Sequence, residues 1–496
     1  MFMGNCLIGG RELDNQLGTT NKKYISWPVI ALMDFVTIMG FDDLMYPLQN
    51  QGLAVVFTWV AMIFLFVIPY EMSVTQLGAT FGDRQDSGLA SWVRRASHSD
   101  VLGYATAWMY WAACLPYIVD VANSTIVALG WLILGNNSLG HRMSNFMFGL
   151  LTFVVILIFV VFENFFQRSL EIMSTLGGFA MFFMTILFVV MTIWSLLHGG
   201  HIATQPFNLH AFIPSFSSQY WSTTGLLMFA ACGAEIVIPY LKRMKHPNRD
   251  FPKSMWMLAF MTAFLAIFGT LALAMFFNAN HLPNDLKMNG SFYAFRMLGE
   301  RMGLGKSLMY IFAVVQTLYM LAQLAVLLDS VSWVIAGDVS EKFIPKWFAK
   351  RDKNGRPMHS YVITSGLCLL LLLLSGTLPS INSIFNWLLN LNGIVFPFKN
   401  CWIFIAFILI RRHQNEFKSG FVFIKKRWAA LGVGWFCLIF SFVCAMMGFL
   451  PQDVAVATHA WNHQLLLNLF AVFALFVAGL ILPVWAWIER RMTQRG

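Results

Sequence analysis

Between Pro28 and Asn50 the chain reads PVIALMDFVTIMGFDDLMYPLQN, an apolar segment that interrupts its own helix. Gly40 stands mid-segment, Pro47 follows a turn or two later, and Asp34, Asp42 and Asp43 lie where hydrocarbon depth belongs. An acid at the centre of a spanning helix costs roughly 2.5 to 3.5 kcal/mol even on the lenient insertion scale, so these groups should face protein, water or a bound cation. Backbone freed from helical hydrogen bonds is tolerated at that depth only where it lines a cavity, and interrupted helices are the best sequence pointer to a transporter binding site. The segment reads as half of a substrate site, lined by Gly40, Phe41, Asp42 and Asp43. Asp34, close to one end of its span, is as readily structural as functional.

The rest of the chain agrees with a membrane setting. Its 496 residues are 58% hydrophobic and only 11% charged, with mean hydropathy +0.66, too little polar surface for a soluble globule. Twelve apolar spans are expected, near 28–50, 53–77, 101–134, 145–162, 169–197, 221–241, 255–277, 307–336, 360–378, 383–410, 428–449 and 464–488. The formal charge of +10 lies in short loops and not along one face, which excludes nucleic acid as a partner and fits positive-inside topology. With the N-terminus inside, 27 of the 33 Lys and Arg fall on the cytoplasmic side and five on the other, so both termini are expected in the cytoplasm of a cell membrane. No cleaved signal peptide is read in residues 1–26. All cysteines but Cys6 fall in apolar segments, so a disulfide framework is not expected.

The sixth span, WSTTGLLMFAACGAEIVIPYLKRM, repeats the behaviour of the first: Gly233 in the middle beside Cys232, then Glu235, then Pro239. Two broken, acid-bearing segments five spans apart are what an inverted five-plus-five repeat predicts. The expected organisation is a tail over 1–26, a core over 27–411 with repeats about 27–197 and 221–411, spans eleven and twelve within 428–488 as scaffold or homodimer contacts, and a tail over 489–496. A short re-entrant or surface helix fits the stretch with Gly82, Gly88 and Trp92, and short helices fit the loop 278–306. Span three carries Tyr117 and Asp120, the tail of span eight Asp329, and span ten Lys399. His198, His201 and His210 read as solvated loop residues before they read as a pH sensor.

The run G-A-E-I-V-I-P-Y-L-K-R-M-K-H-P-N-R-D-F-P from Gly233 resembles the G-x-E and K-N-P-x-R-x-x-P signature of the amino acid-polyamine-organocation superfamily of permeases. Met39-Gly40-Phe41, the N-Q-G-L after it, the Gly88 and Trp92 loop, Tyr110-Trp111 and the run from Asn289 to Glu300 bring the chain closer to the bacterial glutamate/GABA-antiporter group. The resemblance covers spans one to ten. It implies a leucine-transporter-type all-α fold with helices one and six broken, the amides of span one taking a substrate carboxylate and the carbonyls of span six its amine. In the same frame Phe229 falls at an aromatic gate position, and Arg243 where many members carry an acid at the inner gate. The run here is Gly40-Phe41-Asp42, which departs from the family's bare Gly-Ser-Gly-like run at its last two positions.

The candidate substrate residues are therefore Gly40, Phe41, Asp42, Asp43, Tyr117, Asp120, Phe229, Cys232, Gly233, Glu235 and Asp329. Asp34, Asp42, Asp43, Asp120, Glu235 and Asp329 make six acids at membrane depth against the single Lys399, which is expected to pair with one of them. That excess favours a cationic ligand or protons, and an exchanger of an amino acid for an amine, or for another amino acid, with a cationic substrate is the expected function. The competing account has Asp42 capping the second half-helix, where a carboxylate gains roughly 0.3 to 1 kcal/mol. Proton-coupled uptake of a neutral or acidic amino acid, or a transport-derived sensor, stays open. No nucleotide loop, metal-ligand cluster or nucleophile grouping is present to make the chain an enzyme, and no cofactor or metal is expected.

Overall fold

A computed structural model describes residues 24–81, 88–279, 281–283, 285–339, 342–351, 357–451 and 456–495. Most of the N-terminal tail and Gly82 lie outside them. Among the described residues nine helices are long and apolar enough to cross a membrane, from Ala54–Phe81 to His459–Met492. The three that complete the expected set fall short for visible reasons. Span four, Asn145–Val161, is a short helix of 17 residues, and spans one and six are broken.

Span one is helical over Trp27–Ile38, extended at Met39 and Gly40, and resumes as a tight 3-10 turn over Phe41–Leu44 and a helix over Met45–Gln51. Pro47 sits within the first turn of that last helix, where its missing N–H costs nothing. Span six is helical over Ser218–Ala230, unwound through 231–237, and ends in a 3-10 helix over Ile238–Arg243. The two broken spans are tied at both ends. Ile25 N–H donates to the Arg243 carbonyl at 2.8 Å, and at the opposite end Gln51 Nε2 donates to Thr223 Oγ1 at 2.5 Å.

The inverted repeat is written in the helices themselves. Span two, Ala54–Phe81, and span seven, Pro247–Ala274, each hold a single π-turn, at Ile63–Val67 and Leu265–Gly269. Spans three and eight are both long, Asp100–Leu134 and Ser307–Asp338, and spans four and nine both short, Asn145–Val161 and Met358–Ser375. Spans five and ten, Glu163–Leu197 and Ile381–Arg412, close each set. Between spans two and three lies a linker helix, Leu89–Ser97, and its counterpart between spans seven and eight is a second linker helix, Leu286–Arg301.

Hydroxyl N-caps start five of the spans: Ser99, Ser144, Ser217, Ser380 and Thr458 each accept from the backbone N–H three residues on. Burial sorts centre from periphery. In the most apolar stretch of spans three, eight and ten 72% of residues are buried, against 33% in span eleven, Arg427–Gly448, and 22% in span twelve. The site is accordingly walled by spans one, three, six, eight and ten, with the last two spans outside it.

The second linker helix is not the surface element expected of a loop. Leu286, Lys287, Met288, Asn289, Gly290 and Ser291 are all buried, and this turns out to be the feature that shapes the site.

Candidate functional site

The break in span one is satisfied by side chains of this chain. The Gly40 N–H, which has no helical acceptor, donates to Asp43 Oδ2 at 2.8 Å. Tyr319 of span eight donates its hydroxyl to the Phe35 carbonyl at 3.0 Å, and Tyr117 of span three donates to the Thr37 carbonyl at 2.9 Å. Gln323 Nε2 donates to the Tyr117 oxygen at 2.5 Å. A buried backbone group left unbonded costs about 1–3 kcal/mol, so these contacts hold the unwound shape against collapse into helix.

The other oxygen of Asp43, Oδ1, lies 3.6 Å from Lys287 Nζ. The second linker helix carries that lysine inward and is fixed in place: Trp131 Nε1 of span three donates to Asn289 Oδ1 at 2.7 Å, and Phe292 stacks on Trp131 with ring centroids 5.1 Å apart. Gly290 permits the approach, because a Cβ there would stand 2.9 Å from Met45 Sδ. Burial alone would pull the Lys287 ammonium down, but the fields of Asp120, Asp43 and Asp42 outweigh it and hold it raised and charged. Asp42 Oδ1 and Asp120 Oδ1, both buried, have no hydrogen-bond partner among the described residues. The result is a buried cluster of three carboxylates and one ammonium, in which one oxygen each of Asp42 and Asp120 has no hydrogen-bond partner among the described residues.

A second knot lies at the break of span six. Tyr70 of span two donates its hydroxyl to Glu235 and accepts the Gly233 N–H at 3.0 Å. Lys399 of span ten is fully buried and pairs with the other Glu235 oxygen, while its ammonium sits 4.1 Å from the Phe396 ring centroid. Phe396 in turn packs edge-on against Phe229, 4.7 Å between centroids, and Phe229 against Tyr117 at 4.9 Å. This aromatic trio separates the span-six knot from the Asp42 pocket.

The expected residues therefore divide. Gly40, Asp42, Asp43, Tyr117 and Asp120 come together, with Phe229 as a wall. Glu235 is taken up by Tyr70 and Lys399, which makes it a support of the break, and Cys232 and Gly233 stand with it. Phe41 points into a cluster of Phe188, Phe295 and Phe312, at 4.9, 5.1 and 5.9 Å, and is packing. Asp329 is apart from both knots: Tyr240 and Tyr361 each donate to it at 2.9 Å. Arg243 is bonded to Glu171 of span five at 2.9 Å, so the tie at that end of span six has reversed polarity relative to an acid at the same place.

Two expectations need correcting. The residue that caps the break is Asp43 and not Asp42, because a 3-10 turn begins at Phe41 and brings its third residue back over the Gly40 amide. The count of acids at membrane depth omits Glu71, inside the span expected over 53–77 and fully buried. Sequence reasoning also missed Lys287, Tyr319 and Gln323. Glu71 was detectable as an acid in an apolar run, whereas nothing in the sequence distinguishes Lys287 from an ordinary loop charge.

A family model described as amino acid permease matches residues 25–477. The aspartate/glutamate permease AcaP of Lactococcus lactis subsp. cremoris is 33% identical over 476 residues, 95% of this chain and 97% of its own. The probable agmatine/putrescine antiporter AguD of Lactococcus lactis subsp. lactis is 21% identical over 398 residues, 78% of this chain and 79% of its own. Among solved structures, a mutant of the manganese transporter of Eremococcus coleocola superposes with a TM-score of 0.56 at 15% identity over 95% of each chain, a likeness of fold.

Proposed function

Since the chain belongs to the amino acid permease family and is a multi-pass membrane transporter, not an enzyme, we propose that it carries amino acids through the pocket between the two breaks, aspartate and glutamate first among them, together with protons. The observation that carries this reading is Lys287, a buried cation against Asp43 and in the field of Asp42 and Asp120. The pocket thus offers both signs of charge, as an amino acid needs. In the expected cationic reading a bound amine relieved the repulsion among the acids; here the chain's own lysine does so.

A simple diamine would set its positive charges against Lys287, and two like charges about 4 Å apart cost roughly 4 kcal/mol at an effective dielectric near 20. An acidic amino acid meets the opposite difficulty, because the carboxylates outnumber the lysine. Protons carried in with the substrate offset it, and the unpartnered Oδ1 of Asp120 gives one of them a place. Similarity to the aspartate/glutamate permease supports the same substrate class.

The test is uptake of labelled aspartate into proteoliposomes with an acid exterior. Accumulation that a protonophore abolishes is the expected result. Failure to accumulate aspartate or glutamate would overturn the reading. If labelled agmatine or putrescine entered instead, and only against internal amine, the second reading would stand: amine exchange, favoured by the three carboxylates and by similarity to the agmatine/putrescine antiporter. The charge asymmetry of the loops supports placing both termini in the cytoplasm.

A further inference from the structure

We propose that Asp34 of span one and Glu71 of span two form a proton-carrying site, distinct from the site that takes the substrate. This deepens the proton-coupled reading and rests on it.

Glu71 is wholly buried, and neither of its carboxylate oxygens has a hydrogen-bond partner among the described residues. Asp34 is equally buried; its Oδ2 has none, and its Oδ1 has only Thr37 Oγ1 at 3.5 Å. Glu71 lies in the field of Asp34, and Asp34 lies in the fields of Glu235 and Lys399. Lys399 is committed to Glu235. Among the described residues no cation is paired with Asp34 or Glu71, and an unpaired ion in such a place costs several kcal/mol after relaxation, which a bound proton removes.

The surroundings supply no alternative charge. Span two adds Tyr70, bonded to Glu235; span six adds Cys232 and Glu235; span three adds the thiol of Cys114. Span five carries Glu171, paired to Arg243, and span eight Tyr319, bonded to the Phe35 carbonyl. Span seven brings Arg249, Asp250 and Lys253 only in its first turns, where Lys253 is bonded to Asp250, and span eleven brings Cys437, whose thiol faces the Leu65 carbonyl. Among the described residues no three acid, histidine or cysteine groups are placed to hold a metal ion. The cation that fits two unpartnered carboxyls is the proton.

Position links the pair to the substrate. Asp34 lies on the half of span one that precedes the break, and Thr37, one turn on, is held through its carbonyl by Tyr117, which borders the Asp42 pocket. A shift of that half-helix on substrate binding alters the separation of Asp34 from Glu71, and water reaching the pair lets the proton leave.

The test uses the full chain in proteoliposomes, comparing wild type with Glu71→Gln in two assays. One is aspartate accumulation driven by a pH gradient; the other is counterflow of aspartate at equal pH. The expected result is loss of about tenfold or more of gradient-driven accumulation in Glu71→Gln, with counterflow kept within about twofold. Gradient-driven accumulation at the wild-type level in Glu71→Gln overturns the inference and leaves the proton-coupled reading intact. Wild-type uptake indifferent to the gradient overturns both. If Glu71→Gln does not insert, Asp34→Asn takes its place, and the infrared carbonyl band of a buried protonated carboxyl in wild type decides: its presence and its loss in Asp34→Asn support the site, and its absence in wild type overturns it.

Discussion

The Gly233 amide donates to the Tyr70 hydroxyl at 3.0 Å, so the opening in span six is held by a side chain of span two. The same hydroxyl donates to Glu235, whose second oxygen meets Lys399. Four residues from three spans thus fix the stretch of backbone where span six leaves its helix. The glycine is required by what lies opposite it. A Cβ at Gly233 would stand 3.1 Å from Ile38 Cγ1 and 3.2 Å from the Thr37 carbonyl oxygen, so the two breaks touch there.

Tyr70→Phe removes the acceptor of Gly233 and a donor to Glu235 while keeping the ring that stacks on Phe66. Leaving a buried group unbonded costs about 1–3 kcal/mol. The expected outcome is a lower melting temperature in detergent and slower transport with normal membrane insertion. Gly233→Leu, which must part the two breaks, should abolish uptake while still inserting; unchanged uptake in that variant would contradict the contact.

Lys399→Met leaves Glu235 buried without its cation, a change that destabilises by about 3–5 kcal/mol. The double variant Lys399→Met with Glu235→Gln removes the stranded charge and should recover much of that loss. Thermal unfolding of both single variants and the double one reads the coupling directly. If the double variant is no more stable than Lys399→Met, the pair is not what holds this knot.

The parts of this arrangement that could be read from the sequence are those in which a residue type has few roles at membrane depth. Gly40 and Gly233 with nearby acids and prolines announce two breaks, and a lone lysine among acids, Lys399, announces an internal partner. The register of a single turn is not legible in this way, since Asp42 and Asp43 are neighbours of one type and only the 3-10 start at Phe41 selects Asp43 as the cap. Lys287 is hidden for a different reason. Its helix is polar enough to pass for a loop, and only the contacts of Asn289 and Phe292 with Trp131 carry it inward. Tyr319 and Gln323 are ordinary residues of a long span until the fold sets the Phe35 carbonyl against the first and the Tyr117 hydroxyl against the second.

Asp42 and Asp43 should separate on mutation. Asp43→Ala loses the bond to Gly40 and the pairing of Lys287, and a lost cap alone costs about 0.5–2 kcal/mol. Asp42→Asn keeps both contacts, so it should lose less stability than Asp43→Ala, while its apparent affinity for substrate falls about tenfold because an ammonium acceptor is weakened. Melting temperature and uptake KM, measured side by side, give the contrast. A stability loss in Asp42→Asn as large as that in Asp43→Ala would return the capping role to Asp42.

Lys287 is the residue on which the substrate class turns. Its Nζ is 3.6 Å from Asp43 Oδ1, longer than a hydrogen bond, so the ammonium keeps donors free for a substrate carboxylate. Lys287→Met removes that partner and leaves Asp42, Asp43 and Asp120 without their cation. The pocket then has room and charge for the ligand that the lysine now excludes. Inhibition of labelled aspartate uptake by unlabelled aspartate and by putrescine measures the change. The expected outcome is that aspartate weakens and putrescine strengthens, each by about tenfold or more, the equivalent of about 1.4 kcal/mol. Lys287→Arg, which keeps the charge on a larger head group, should retain the preference for aspartate at reduced rate. An unaltered ranking of the two inhibitors in Lys287→Met would mean that the buried lysine only neutralises Asp43, and the choice of substrate would have to be sought among the aromatic walls of Tyr117, Phe229 and Phe396.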